Sequence, residues 1–299
     1  NKALDPTPLL GAPGCKHPDA PAMLAGQRRD YAVKLLLSQI VHKEVTEFKG
    51  FAFMLHAQII IFILIGLVAG FMSGMFGIGG GSVRIPLLNL AGLPLLTAFA
   101  INLFVIPFSS GVGAISHKEN IDNKIALHMI IGGTLGSLIG AFLTGLIPTL
   151  VLAIIFVVIS IITIVGIYLD RIAPELSKKL VPSLRNIVVG SFCLNLITGM
   201  RGGSGGSLFP PFLRAMHLDI HKAIATSLFV TIFTALAAIF IYWHRGNIFW
   251  LPALFVLVGS MIGVRVGSKL SLKTKPFWLE IGLSVLIVIL GLLTVYKAL

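Results

Sequence analysis

Eight stretches of this chain contain no Asp, Glu, Lys or Arg, and their lengths constrain the fold. They are residues 50–83, 85–117, 125–169, 186–200, 202–213, 223–244, 246–264 and 281–296. A helix needs roughly 20 apolar residues to cross a bilayer, where backbone groups must be hydrogen-bonded within the protein. These stretches therefore suit about eight crossings. Since only 11% of all residues are charged, against about 25% in soluble domains, we predict an all-α polytopic membrane protein.

A Gly-rich segment occurs twice within this apolar sequence. Residues 77–86 read GIGGGSVRIP, and residues 202–211 read GGSGGSLFPP. Gly, Gly, Gly, Ser and Pro match between them at a constant offset of 125. Consecutive glycines interrupt a helix, and an interruption inside a bilayer persists only where protein or a polar cavity covers it. Paired interruptions at corresponding positions indicate a transporter binding site.

The internal similarity extends beyond this segment. Three glycines spaced by four recur at an offset of 127: Gly132, Gly136 and Gly140, then Gly259, Gly263 and Gly267. That spacing puts them on one helix face, where they allow close approach between transmembrane helices. We therefore predict two tandem repeats of about four transmembrane helices, at 57–170 and 184–299, each with a Gly-rich helix break. Residues 171–183 form the connecting loop.

Residues 1–56 are predicted to be an N-terminal extension. Within it, apolar residues recur near helical spacing over 27–50, with basic residues between them. This pattern favours an amphipathic helix lying at the membrane surface. A helix that packs on the protein's own soluble face explains the pattern equally well.

The direction of the chain after each break is open on sequence grounds. Residues 83–116 would form a helix of about 50 Å, too long for a core about 30 Å thick, so Gly92 and Pro94 should divide it into a half-helix and a span. If each half-helix doubles back, the repeats are inverted; if it continues the preceding span, they run parallel. Residues 186–200 and 207–213 together approximate one bilayer thickness, which favours continuation and eight crossings.

These residues carry a family resemblance. The Gly-rich segment from Gly74 to Gly81, followed by Pro86 and Ala100, resembles the sulfite exporter TauE/SafE family, and the second copy is similar. The resemblance covers about residues 57–297 and implies a membrane carrier that exports sulfite or a small organosulfur anion such as sulfoacetate. The family often has Thr-Ser after the first-repeat alanine, whereas this chain has Ile101 and Asn102; the second repeat keeps Thr226 and Ser227.

An anion requires donors that stay dry and fixed, and free N–H groups at a helix N-terminus supply them. We expect half-helices beginning at Ser82 and Ser207, with both serines capping the helix or binding substrate oxygen. Arg84 and Arg201 either contact the anion, snorkel, or neutralise carbonyl groups at a helix C-terminus. The candidate substrate-binding residues are Gly79, Gly80, Gly81, Ser82, Arg84, Asn102, Arg201, Ser204, Gly205, Gly206, Ser207, Thr226 and Ser227. Asn102, Thr226 and Ser227 serve interhelical hydrogen bonding equally well.

The functional prediction is a secondary transporter that exports a small sulfur-containing anion across the cell (inner) membrane. An anion channel, or an importer of a related anion, is the alternative. We find no nucleophile–base pair, metal cluster or cofactor motif, so no enzyme and no cofactor are expected. The net charge of +12 lies in loops beside apolar spans, which favours membrane lipids over nucleic acid as partners. A homo-oligomer is compatible with the sequence.

Overall fold

The computed structural model describes residues 58–144, 146, 148–168, 172, 175, 183–245 and 248–298. The residues predicted as an amphipathic helix, 27–50, lie outside this part of the chain. The helices are α1 Gln58–Phe76, α2 Gly81–Leu90, α3 Leu95–Ser116, α4 Asn123–Phe142, α5 Thr149–Ile167, α6 Leu184–Gly199, α7 Phe209–Ala215, α8 Ile220–His244, α9 Trp250–Lys273 and α10 Pro276–Ala298, with a 3₁₀ turn at Lys118–Asn120.

The all-α prediction is confirmed for the described residues, none of which lies in a strand. Within the described part of the chain, five helices are long and apolar enough to cross a membrane: α1, α3, α4, α8 and α9. Many of their large apolar side chains are exposed, including Leu135 and Phe240, which is typical of surfaces that face lipid. Helices α3 and α8 are the most buried of the five and form the centre of the molecule.

Helix α2 doubles back along α1. A Cβ on Gly80 would lie 2.9 Å from the Ala69 carbonyl oxygen, near the end of α1. One end of α2 therefore lies beside the last turns of α1, whereas Leu88, at its other end, clusters with Phe62 and Ile65 from the beginning of α1. The two helices are consequently antiparallel.

Helix α7 reverses along α6 in the same way. Gly205 lies against Asn195 near the end of α6, whereas Phe212 of α7 lies against Gly190, more than one turn earlier. The prediction that each half-helix continues the preceding span is therefore wrong. Charge-free lengths measure how much chain is apolar but carry no information about its direction.

Helices α1, α3 and α9 run in the same direction. Along α1 and α9 the facing pairs advance together: Gly66 with Val256, Gly70 with Ser260, and Gly74 with Val264. Along α3 and α9, the Phe104 ring contacts Trp250 and Gly113 lies against Val264. Because α2 returns the chain, α1 and α3 are parallel although they are consecutive spans.

Helices α4, α6 and α8 run in the opposite direction. Along α4 and α6 the facing pairs again advance together: Gly132 with Val188, Gly136 with Phe192, and Gly140 with Leu196. Between α3 and α8 the order is reversed, since Phe99 stacks edge-on against Tyr242 whereas Gly113 meets Leu228. Helices α1–α4 therefore lie antiparallel to the corresponding helices α6–α9.

The predicted close approach at the spaced glycines is confirmed. A Cβ on Gly132, Gly136 or Gly140 would overlap backbone atoms of α6. A Cβ on Gly259, Gly263 or Gly267 would overlap backbone atoms of α1. Each glycine-bearing helix thus packs closely on the first helix of the other half, and these two contacts are among those that join the halves.

Candidate functional site

The two Gly-rich segments meet between α3 and α8. A Cβ on Gly79 would lie 3.6 Å from the Ser204 hydroxyl oxygen and 3.7 Å from the Cα of Gly206. A Cβ on Gly206 would lie 2.6 Å from the carbonyl oxygen of Ile78. Segments separated by about 125 residues of sequence therefore form one junction, and all four residues are buried. We call residues 77–82 and 202–207 the glycine junction.

Backbone conformation at the junction depends on glycine. Gly79 and Gly205 have φ angles of 69° and 73°, in the left-handed region that side chains with a Cβ rarely adopt. These turns interrupt the helical hydrogen-bond ladder and reverse the chain toward α2 and α7. At Gly206 the absence of a Cβ is also what lets the two segments touch, because a Cβ there would overlap the Ile78 carbonyl oxygen.

The turns leave backbone donors unused. No acceptor among the described residues receives the N–H groups of Gly79, Gly80, Gly81 and Ser82, or those of Ser204, Gly205, Gly206 and Ser207. Seven of these residues are buried, and buried N–H groups are nearly always hydrogen-bonded in proteins. Two clusters of free donors that touch each other form a suitable environment for an anion.

Two hydrogen bonds join the halves reciprocally at the junction. The Asn102 side chain of α3 donates to the Gly202 carbonyl at 2.8 Å, and the Ser227 hydroxyl of α8 donates to the Gly77 carbonyl at 2.8 Å. Both the donor pair and the acceptor pair are related by the offset of 125. Each central helix therefore fixes the beginning of the other half's break.

Arg84 brings a positive charge beside this junction. Its side chain is fully buried, and Nη1 donates to the Asn102 amide oxygen at 2.6 Å, while Nη2 donates to the Ser260 hydroxyl at 3.1 Å. Its Nε has no partner among the described residues, and no carboxylate there pairs with it. A buried charge is costly unless a counter-charge accompanies it. The arrangement thus favours binding of an anion near Arg84.

Further polar groups surround the junction. The Ser204 hydroxyl is buried and unpartnered among the described residues, while the Thr234 hydroxyl donates to the Ser204 carbonyl at 3.1 Å. Thr231 lies against Gly79. The Ser204 hydroxyl is thus available as a donor to a bound ligand.

Several predicted site residues have other positions or roles. The expected caps are wrong: α2 begins at Gly81 after Gly80, α7 begins at Phe209 after Leu208, and no side chain caps either helix. Thr226 accepts the backbone N–H of Asp122 at the beginning of α4, a structural contact between helices. Arg201 lies half-buried just before the second break and has interaction partners.

Two contributors were missed from the sequence. Ser260 holds Arg84 although it lies 176 residues away in the chain, and only its position within the second glycine stripe could have indicated it. Asn195 of α6 donates to the Gly133 carbonyl at 2.9 Å and lies against Gly205. Both are polar residues within apolar helices, which is a signal of interhelical hydrogen bonding but not of a particular partner.

The two halves differ at the position of the buried charge. Phe209 stands at the offset of 125 from Arg84, and its fully buried ring lies against Gly133 and Gly205. Of the two equivalent helices α2 and α7, only α2 therefore has a positive charge at this position. Within the described residues, no group of His, Cys, Asp or Glu could hold a metal ion.

The chain matches a family model and several sequences described as probable membrane transporters. Residues 62–294 match the family model described as Sulfite exporter TauE/SafE. The probable membrane transporter protein YunE of Bacillus subtilis is 24% identical over 80% of this chain and 97% of its own length. YdhB of the same organism is 26% identical over 70% and 89%, and YfcA of Escherichia coli 24% over 71% and 80%; both have the same description. No solved structure matches the chain.

Proposed function

Because this chain belongs to the sulfite exporter TauE/SafE family, we propose that it is a secondary transporter that exports sulfite or a small organosulfonate. The observation that carries the proposal is the glycine junction, where free N–H groups from both segments adjoin the buried guanidinium of Arg84. A sulfur oxyanion presents several oxygens, and guanidinium and backbone N–H groups both bind such oxygens well. We place the substrate at this junction.

The distribution of basic residues supports an orientation. At the end of the molecule where α3 and α9 terminate lie Lys118, Lys124, Arg185, Arg214, Lys222, Lys269, Lys273 and Lys275. At the other end, the basic residues among the described loops and helix ends are Arg245 and Lys297. Loops rich in Lys and Arg stay in the cytoplasm, so we assign the former end to the cytoplasm of a cell-membrane protein.

The antiparallel halves suggest how the anion moves. Helices α1–α4 and α6–α9 form an inverted pair around the junction, the arrangement of many transporters with interrupted helices. We infer that one half moves against the other and exposes the junction alternately to each side. An inside-negative potential drives each negative charge outward by about 2.3 kcal/mol per 100 mV, which suffices for uncoupled export.

Flux through proteoliposomes tests this function. We expect saturable transport of sulfite or sulfoacetate, with counterflow, that follows a clamped potential without a pH gradient. Arg84→Gln should reduce it at least about tenfold, since charged hydrogen bonds are worth about 1.5–3 kcal/mol. The exposed Arg185→Gln is the matched control and should transport normally. Unsaturable current would indicate a channel, and equal transport by wild type and Arg84→Gln would remove the site assignment.

Binding gives a second test without flux. Thermal unfolding should be compared in sulfite, sulfate, thiosulfate, sulfoacetate, acetate and chloride. A ligand at 100 times its Kd stabilises by about 2.7 kcal/mol, so the transported anion should raise Tm by several degrees. The increase should vanish in Arg84→Gln and persist in Arg185→Gln. If none of the six anions raises Tm, the proposed substrate class is wrong.

A further inference from the structure

A second polar feature lies away from the glycine junction, on the outer surface of α3 and α9. A cavity of about 350 Å³ opens between the last turns of these helices. It is lined by Val112, Ile115, Ser116, Arg265, Lys269 and Leu272. Because both helices end there, the cavity lies toward the end assigned to the cytoplasm.

The lining combines cations with apolar surface. Arg265 and Lys269 are one turn apart on α9, both exposed, and neither forms an ion pair among the described residues. No acidic side chain contributes to the lining. Ile115 is 73% exposed, although it belongs to a membrane-spanning helix. The cavity therefore has a positive end and a lipid-exposed apolar wall.

An apolar strip continues from the cavity along α3. Gly111, one turn before Ile115, has open space where a Cβ would stand, and Phe108 is half-exposed on the same face. The strip ends where the Phe104 ring meets Trp250, with centroids 5.5 Å apart. From residue 104 to residue 116 a helix rises about 18 Å, close to the thickness of one leaflet's hydrocarbon layer.

We propose that this groove binds a glycerophospholipid with an anionic headgroup from the cytoplasmic leaflet. The phosphate lies between Arg265 and Lys269, and an acyl chain lies along the strip beside Gly111. Basic pockets between transmembrane helices on the cytoplasmic side suit anionic headgroups. A free small anion would gain nothing from the exposed apolar wall, whereas a lipid uses both features. This site is independent of the proposed transport site.

Lipid retention tests the cationic end. The full-length protein, purified from vesicles with equal phosphatidylglycerol and phosphatidylcholine, should retain phosphatidylglycerol selectively, as measured by native mass spectrometry. The double variant Arg265→Gln/Lys269→Gln should retain roughly tenfold less, as expected when two basic groups leave an anionic surface. Lys273→Gln/Lys275→Gln removes the same charge from the same end and should behave as wild type. Equal losses in both double variants, or no selectivity in wild type, would overturn the proposal.

A second variant tests the apolar strip without altering charge. Gly111→Leu fills the open space on α3 and should lower retained phosphatidylglycerol severalfold, while Tm in detergent stays near that of wild type. Soluble sn-glycerol 3-phosphate supplies the headgroup alone and should displace little bound lipid. If Gly111→Leu retains lipid fully, or if the soluble phosphate displaces it at equal concentration, a lipid site is wrong and a simple anion site remains.

Discussion

Asn102 connects three parts of the molecule through one amide group. Its oxygen accepts from Arg84 and its nitrogen donates to the Gly202 carbonyl, so it holds the buried charge against the opposite half's break. A Cβ on Gly81 would lie 2.6 Å from the same amide nitrogen. Among the described residues, Ser227, at the equivalent position of α8, makes only the bond across the halves, to Gly77. The two residues therefore occupy equivalent positions but form different hydrogen bonds.

That difference predicts unequal stability losses at equivalent positions. Asn102→Ala removes two buried hydrogen bonds, one of them to a charge, and should lower the free energy of unfolding by about 3 kcal/mol. Ser227→Ala removes one neutral bond and should cost about 1 kcal/mol. Thermal and denaturant unfolding in detergent measure both. Equal losses would show that the Arg84 contact contributes nothing to stability.

For single residues, the sequence indicates which polar residues are important but not which residues they contact. Arg84 and Asn102 are conspicuous because charged and amide groups are rare within membrane-spanning sequence. Their mutual contact follows from the direction of α2, which the sequence leaves open. At Ser82 and Ser207 the residue type itself was misleading, because serine commonly caps helices. Helix α2 instead begins one residue before Ser82, after Gly80, and α7 begins after Leu208.

Among the helices, the spacing of the glycines predicted close packing, but it did not predict the direction of the chain after each break. Glycines at intervals of four necessarily share a helix face, so the close approach of another helix to α4 and to α9 follows from the sequence, but the identity of that helix does not. The reversal of the chain after α1 cannot be predicted from the sequence, because residues 77–94 are long enough either to double back or to continue the span. It depends on left-handed φ angles at Gly79 and Gly80, which composition permits without requiring.

The same substitution should have opposite effects on two glycines of consecutive helices. Gly136→Ala places a Cβ against the Phe192 carbonyl of α6, and such overpacking costs about 1–3 kcal/mol. Gly111→Ala meets open space in α3 and should be neutral or stabilising by up to about 1 kcal/mol, the helix propensity difference. Unfolding in detergent reports both. A similar change in Tm for the two variants would contradict the assigned packing of α4 on α6.

For the whole molecule, antiparallel halves explain the charge distribution. Equivalent loops of the two halves lie at opposite ends, so the basic residues of each half must come from different loops to reach one side. The first half has its bases after α3, and the second before α8 and after α9. The sequence gives the number of these basic residues but not the side of the membrane on which each lies, because that depends on the direction of α2 and α7.

Glu119 and His244 provide a matched test of this arrangement. They are separated by the offset of 125, both are exposed, and they follow or end the equivalent helices α3 and α8. Parallel halves would put them on one side of the membrane, whereas antiparallel halves put Glu119 in the cytoplasm and His244 outside. Single cysteines at each position, with Cys15 and Cys193 replaced by serine, should therefore react with an impermeant maleimide from opposite sides. Labelling of both from the same side of intact spheroplasts would contradict the inverted arrangement and, with it, alternating access about the glycine junction.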